Sequence, residues 1–341
     1  MHTDWLPVST NINSPINTND FKQLTDATVV SVLDGDETTA YGLLQIIGAD
    51  SAKFLQGQLT CNMQDITLQQ SRYGAHCTHK GRMVASFRLL QDSEQSYLFS
   101  LPQTTLPNLQ KSLGKYIVFS KAKLRDASDD YLQLGISGPQ AAQLIATLWN
   151  SVPTTRHQQQ IHDNGIVICI NEILPRFLCL VPAAHAKNIM ESLDNTIKIT
   201  NCHYWHWLNI CDGIGEVREQ TIEEFIPQML NLQRLDGISF TKGCYTGQEI
   251  VARMQYRGIL KKGMYRLAGS GVNPLPNSAI FQENHDQAVG HIVMAENIAA
   301  NQWQGLAVIT HEAIEQKLFT AEKTPVTVLP LPYLLSDPTP Q

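Results

Sequence analysis

Short apolar runs bounded by polar turns alternate with longer amphipathic runs along most of the chain. The two patterns predict strands and helices in a definite order. Residues 41–47 read as a strand that Gly48 breaks, and Asp50 caps a short helix carrying Phe54 and Leu55. Residues 83–90 and 96–101 read as two strands around a polar turn at 91–94. A helix over about 105–113 and an extended segment at 116–124 follow. The middle of the chain gives the clearest topology. A strand at 131–137 leads through Gly138-Pro139 into a helix ending near Trp149, with proline at its first position. Strands at 165–170 and 176–181 flank an Asn171-Glu172 turn, and a helix at 183–193 and a strand at 196–200 complete the segment. The order β-α-β-β-α-β is the ferredoxin-like split unit. No sequence repeat of fixed short period is detected.

The pattern changes further on. Residues 203–210 are helical and unusually aromatic, with Tyr204, Trp205 and Trp207. Beyond Gly258, Gly and Pro are frequent and no good long helix remains. Apolar runs at 263–268, 288–294, 305–310 and 326–329 predict the strands of a small barrel or sandwich. Residues 1–38, rich in Asn, Thr, Asp and Pro, predict a loosely packed polar arm. The expected organisation is therefore α+β. It comprises an arm at 1–38, an α+β region at 39–257 with two lobes, the second at about 131–200, and a C-terminal β domain at 258–341.

Composition narrows the function classes. The chain has 341 residues, a net charge of −6 and the apolar content of an ordinary globular protein. Non-specific binding to nucleic acid or acidic membranes is not expected of the whole. Two stretches run against that balance. Residues 241–266 carry Lys242, Arg253, Arg257, Lys261, Lys262 and Arg266 against one acid, Glu249, and a second run holds Lys115, Lys121, Lys123 and Arg125. Each reads either as a solvated face or as a docking surface for an anionic ligand, such as the glutamate tail of a folate or an RNA. The seven cysteines form no C-x-x-C pair and predict reduced thiols inside a cell. His76, Cys77 and His79 come nearest to metal-ligand spacing, but they alternate faces of one strand, and no metal is expected. The N-terminal residues show no signal-peptide pattern and no run reaches membrane-spanning length, so a cytoplasmic protein is expected.

The candidate chemistry centres on Lys242-Gly243-Cys244-Tyr245-Thr246-Gly247-Gln248-Glu249, continuing into Ile250-Val251-Ala252-Arg253. It reads as a tight loop delivering a cysteine to a helix start. Thr246 serves as N-cap and Glu249 completes a capping box. Ile250, Val251 and Met254 form the buried face, and Gly258 is the stop. Cys244 then lies where amide dipoles and Lys242 both favour a thiolate, suiting a nucleophilic or redox site; the alternative is a small buried thiol in a turn. The octet resembles the signature of the YgfZ family, folate-binding relatives of the glycine-cleavage T-protein (aminomethyltransferase). Phe225-Ile226-Pro227-Gln228 with Asn231-Leu232, and Gly237-Ile238-Ser239-Phe240, are similar to that family. So are Gly48-Ala49-Asp50, Gln56-Gly57-Gln58, Lys80-Gly81 and Leu331-Pro332-Tyr333. The resemblance spans roughly residues 38–335.

The resemblance implies T-protein-like folate-binding lobes followed by a C-terminal β-barrel, and tetrahydrofolate as cofactor. It implies that Trp205 stands against the folate and that Tyr41 occupies a second position where relatives place tryptophan; each could instead be plain core packing. Two departures matter. Ala85 and Ser86 stand where T-proteins carry an acidic pair that includes the catalytic aspartate, which counts against ordinary aminomethyl transfer. Cys211-Asp212-Gly213 replaces a Glu-Ala-Gly of relatives, and Asp212 is the candidate for the pterin-edge contact. The implied function is a tetrahydrofolate-binding accessory protein supporting iron–sulfur enzymes, and thereby tRNA modification. Its implied partners are folate and iron–sulfur or tRNA-modifying enzymes. A folate-dependent one-carbon transferase or demethylase using Cys244 is the alternative, and direct tRNA binding through the basic stretches is a third reading.

Overall fold

Most of the apolar runs form the strands they predict in a computed structural model that describes residues 20–35, 38–256 and 260–335. The segment expected to be extended at 116–124 is instead a helix end, a turn and the start of a short strand. The first elements are β1 (Val29–Val32), β2 (Tyr41–Ile47), α1 (Ser51–Gln56), β3 (Arg72–Cys77), β4 (Met83–Ser93) and β5 (Ser96–Pro102). Next come α2 (Leu106–Ile117), β6 (Lys123–Asp126), β7 (Tyr131–Ser137), α3 (Ala141–Trp149), β8 (Gln159–His162) and β9 (Gly165–Asn171). β10 (Arg176–Pro182), α4 (Ala183–Glu191), β11 (Lys198–Thr200), α5 (Cys202–Cys211) and α6 (Gln248–Tyr256) follow. The last elements are β12 (Lys262–Ser270), β13 (Ala279–Gln282), β14 (Ala288–Ala299), β15 (Gln302–Thr310), β16 (Leu318–Thr320) and β17 (Pro325–Leu329).

The chain divides into two units. Unit one holds residues up to 55 together with 63–72 and 88–205; unit two holds 56–62, 73–87 and everything from 206 on. In unit one the six-stranded sheet runs in the order β11-β1-β7-β10-β9-β8. Strand periodicity sorts its faces. Leu132, Leu134, Ile136, Phe177, Cys179 and Val181 face one way, into a core closed by Ile145 and Trp149 of α3 and by Ala186 and Ile189 of α4. The alternate positions of β7, namely Gln133, Gly135 and Ser137, take the other face.

The N-terminal segment corrects an expectation. Residues 20–35, assigned to a polar arm, supply β1. This strand inserts between β11, which it pairs in parallel, and β7, which it pairs antiparallel. Val29 and Val30 are fully buried, and Phe21, Leu24 and Leu33 nearby are buried too. The physical reason is that four β-branched and small residues are enough for a central strand once both neighbours satisfy its backbone. Residues 1–19 lie outside the described residues. Unit one also contains β5, β2 and β6 with the second half of β4, and β6 forms the sheet edge.

Unit two closes as a barrel in the order β12-β15-β14-β13-β16-β17. Its core is Leu267, Ile280, Ile292, Trp303, Ile309 and Leu318. The four expected runs are all strands of it. β13 and β16 complete the closure with only three or four residues each, too short for periodicity to single out. Among the described residues no helix is long and apolar enough to cross a membrane.

Candidate functional site

The octet begins with a lysine that points inward. Lys242 Nζ donates to the carbonyls of Leu59 (2.7 Å) and Cys61 (2.8 Å) and lies 5.0 Å from the centroid of the Tyr245 ring. Only 8% of the residue is exposed. Burial lowers its pKa to about 8, partly offset by the neighbouring Cys61. The ammonium expected to favour a thiolate at Cys244 is thus spent on two backbone carbonyls. Its geometry is that of a post holding the loop.

Other motifs of the chain meet the octet within unit two. The Thr246 N–H donates to Gly57 O (3.1 Å) and its hydroxyl to Gln58 Oε1 (3.3 Å), so Gln56-Gly57-Gln58 backs the turn. Gly247 adopts φ +84°, and a Cβ there would lie 2.5 Å from the Thr78 carbonyl oxygen and 3.1 Å from the Gly81 Cα. Gly81 adopts φ +69°, and a Cβ there would lie 2.8 Å from Ile250 Cβ. Only glycine fits at either place, so Lys80-Gly81 and the octet are shaped for each other. Gln228 Nε2 donates to the Val251 carbonyl on α6 (2.6 Å). At the C-terminal motif, the Tyr333 hydroxyl donates to Gly213 O (2.7 Å) and accepts from Asn231 Nδ2 (3.4 Å).

The helix start differs from expectation. α6 begins at Gln248, and Thr246 makes no capping box because its hydroxyl is taken by Gln58 and the next residue has left-handed backbone. The Gln248 side chain instead accepts the N–H of Tyr245 (3.3 Å). Val251 is buried, whereas Ile250 and Met254 are half-buried. Gly258, the expected stop, lies outside the described residues.

What the scaffold presents is Cys244, which is exposed, so the buried-turn alternative is excluded. Cys61, Cys77, Cys169, Cys179 and Cys202 are buried, and Cys211 is half-buried and accepts from Arg266 Nη2 (3.1 Å). Burial pushes the Cys77 and Cys179 thiols far above the ordinary range and Cys169 up to about 11. His76 is likewise buried, its Nδ1 3.0 Å from Gln58 O. At the position of the missing acid, Ala85 is fully buried, and Ser86 Oγ accepts the Val217 N–H (2.9 Å). Neither can move a proton there.

In unit one the Tyr41 backbone and the Trp205 ring both meet one face of β7. Gln133 Nε2 donates to the Tyr41 carbonyl (3.0 Å) and its Oε1 accepts from the Ser100 hydroxyl (2.7 Å). Two residues on, Gly135 seats Trp205: a Cβ there would come 2.2 Å from the indole Cε3. Arg176 Cζ stands 4.1 Å from the Trp205 ring centroid, a cation–π arrangement. Trp205 is 4% exposed and Tyr41 6%. The hydroxyls of Ser31 and Ser137, in register with Gly135 and Val29 on the adjoining strands, are buried without a hydrogen-bond partner.

Sequence reasoning missed a polar network in unit two. His206 Nδ1 lies 2.9 Å from Glu296 Oε1, Arg218 Nη2 donates to Glu216 Oε2 (2.6 Å), and Asn209 Nδ2 donates to Glu216 Oε1 (3.2 Å). Burial, with the Arg218 charge behind it, holds the His206 pKa below the usual histidine range. The only signal in the sequence was a pair of opposite charges, Glu216 and Arg218, in an otherwise apolar and glycine-rich segment. Asp212 sits at the end of α5, where its N–H donates to Leu208 O (2.9 Å). Within the basic stretch at 241–266, Arg253 and Lys261 are exposed and Lys262 is half-buried. Lys242 is buried, Arg266 bonds Gln304 Oε1 (2.7 Å) as well as Cys211, and Arg257 lies outside the described residues.

Comparison with known proteins agrees with this geometry. Residues 28–161 match the GCVT N-terminal domain family. The chain is 32% identical to a tRNA-modifying protein YgfZ from Shigella boydii over 303 residues, which cover 87% of this chain and 92% of that protein. It is 33% identical to one from Photobacterium profundum over 306 residues, covering 87% and 90%. The glycine cleavage system aminomethyltransferase T of Bartonella henselae superposes with a TM-score of 0.71 at 14% identity, over 92% of this chain and 89% of that one. With the aminomethyltransferase fold carrying the octet and its glycine partners, the chain belongs to the YgfZ family.

Proposed function

We propose that this protein binds tetrahydrofolate and acts as an accessory to iron–sulfur enzymes, and through them in tRNA modification. Its relatives bear the name tRNA-modifying protein, and its fold is that of a folate-utilising aminomethyltransferase. The observation that carries the reading is a contrast at two positions. Gln58, Gly81 and Gln228 back the octet and its helix, whose Cys244 is exposed, while Ala85 stands where the resemblance expects the acid of aminomethyl transfer. Unit two thus lacks the group that ordinary transfer needs.

The residues present fit a flat heteroaromatic ring in kind. Trp205 is fixed by Gly135 and Arg176, the Tyr41 carbonyl is bonded by Gln133 on the same face of β7, and the buried Ser31 and Ser137 hydroxyls can bond a polar edge. With Trp205 so little exposed, the side chains that cover it must move to admit a ring. Bound tetrahydrofolate supplies a carrier for one-carbon units. Lys242 keeps the loop in place, and Cys244 offers the nucleophile or redox group. The exposure of Cys244 also favours a second reading, a one-carbon transferase or demethylase that uses this thiol. Direct tRNA binding through the 241–266 stretch loses two of its cations, since Lys242 is buried and Arg266 bonds Gln304 and Cys211.

Fluorescence titration with tetrahydrofolate tests the reading. Wild type is expected to quench on binding, Trp205→Ala to bind several-fold more weakly, and Cys244→Ala to bind as wild type. Cells carrying Cys244→Ala are expected to lose iron–sulfur-dependent tRNA modification. No quenching and no heat of binding in the wild type would overturn folate binding. Full function of Cys244→Ala would remove the thiol from the mechanism, and turnover of a folate one-carbon adduct would favour the second reading.

A further inference from the structure

The turn between α2 and β6 presents apolar side chains to solvent. Phe119 is 93% exposed and Val118 70%. Tyr116 precedes them, and Ile47, also exposed, lies across the β2–β6 register from Lys123. Single exposed apolar residues are common on protein surfaces and mean little alone. Here the exposure is built in. The Ser120 N–H donates to Ile117 O (2.8 Å), closing the turn. The Lys121 N–H then donates to Asp50 Oδ2 (2.7 Å), and the Lys121 carbonyl accepts from the Asp50 N–H (3.3 Å). Gly48, at φ +142°, lies against the same carbonyl, where a Cβ would come within 2.2 Å. Two of the three residues of Gly48-Ala49-Asp50 are committed to fixing this turn.

Its charge is as distinctive as its rigidity. No Asp or Glu occurs between Glu94 and Asp126, in a protein of net charge −6. Lys111, Lys115, Lys121 and Lys123 in that stretch are all exposed. Arg125 is committed elsewhere, to Gln45 Oε1 (2.6 Å) and Asp130 Oδ2 (2.5 Å).

We propose that this turn is the docking site for a protein partner whose complementary surface is an apolar pocket rimmed by Asp and Glu. Phe119 and Val118 are the anchors, and the lysines steer and orient the partner. A fixed turn loses little entropy on binding, and aromatic anchors ringed by charge are the usual centre of such interfaces. RNA fits less well. β-branched Val118 and Ile47 have no flat face to stack on a base, and the cations are lysines, which lack the planar fork of arginine. The inference draws on the accessory role proposed above only for the existence of a partner; the surface itself is independent of folate.

A photo-cross-linking phenylalanine analogue placed at Phe119, and at Val272 as control, tests the proposal in cells. Val272 is equally exposed, but no Lys or Arg occurs between Arg266 and Lys317. The expected result is a protein adduct at position 119 and none at 272. The adducted partner, once identified and purified, is expected to bind wild type with salt-sensitive affinity, and Lys121→Glu/Lys123→Glu more weakly by about tenfold or more. Phe119→Ser is expected to lose that binding while its tetrahydrofolate titration stays that of wild type. Adducts of RNA or of a second copy of this chain, adducts no stronger than at Val272, or binding indifferent to both substitutions would overturn the proposal. Failure of wild type to bind folate would sink the functional reading and leave this one standing.

Discussion

Two stretches of this chain read alike as sequence, yet one of them turns cations inward that the other leaves in solvent. Residues 241–266 and 115–125 are both rich in lysine and arginine and nearly free of acids. In the first, Lys242 reaches inward to two carbonyls and Arg266 bonds Gln304 and Cys211, while Arg253 and Lys261 are exposed. In the second, Lys115, Lys121 and Lys123 stand in solvent around an exposed Phe119. The difference comes from what the neighbouring backbone leaves unsatisfied. The Leu59–Cys61 loop offers two carbonyls that a cation of the right reach can close, whereas the turn after α2 satisfies its own backbone and leaves its cations to the outside. A count of charges gives the sign of a region; the unpaired acceptors nearby decide whether it points in or out.

The inward role of Lys242 is the most sensitive to substitution. Replacing it with methionine keeps much of the volume and removes both donors, leaving the Leu59 and Cys61 carbonyls unpaired. A loss of about 2–3 kcal/mol is expected in urea unfolding. A loss below about 0.5 kcal/mol would mean that the lysine contributes no more than a surface cation.

Proton linkage sharpens the same point with a smaller effect. Lys242 has a pKa near 8 in the folded chain, below the usual lysine value. Between those two values the unfolded chain binds the extra proton, so stability rises with pH there, and the cost of burying the charge is fully present below pH 8. The slope contributed by this group is at most about 1.4 kcal/mol per pH unit. The wild-type minus Lys242→Met stability difference should therefore grow from pH 8 to pH 10. A flat difference across that range would contradict the depressed pKa.

The smallest effect belongs to the outward stretch. Lys121→Ala/Lys123→Ala should change the unfolding free energy by less than about 0.5 kcal/mol, because neither ammonium closes a buried acceptor. A larger loss in the same urea series would mean that the two stretches are structural in the same way.

Much of the architecture was legible because periodicity is a property of long elements. The ferredoxin-like segment from Tyr131 to Thr200 and the four longer barrel strands follow from it directly. β1 was not legible, since four residues between polar segments give no period to measure and their burial comes from β7 and β11, far along the chain. The short strands β13 and β16 escaped for the same reason. At the candidate site, the residues of the octet were found through family resemblance, and their geometry was partly misread. A Thr-x-x-Glu pattern predicts a capping box, but Gly247 must pass close to Thr78 and Gly81, and its left-handed backbone forbids the helical turn the box needs. The burial of Lys242 had no local signal, because lysine side chains are mostly found at surfaces. Tyr41 and Trp205 were placed by resemblance as well; that the Tyr41 carbonyl and the Trp205 ring meet one face of β7 follows from the positions of Gln133 and Gly135, which become visible only when the strands are paired.

The insertion of β1 has a consequence for how the protein is made. Its antiparallel partner, Tyr131–Ser137, lies about a hundred residues downstream, and its parallel partner, Lys198–Thr200, further still. During synthesis, Val29 to Val32 leave the ribosome early and remain without either neighbour until much of the chain has followed. Pairings of such sequence separation form slowly, and an apolar strand kept waiting is open to wrong partners. The six-stranded sheet is therefore completed late, when the C-terminal edge strand of unit one arrives to close over the strand that emerged first.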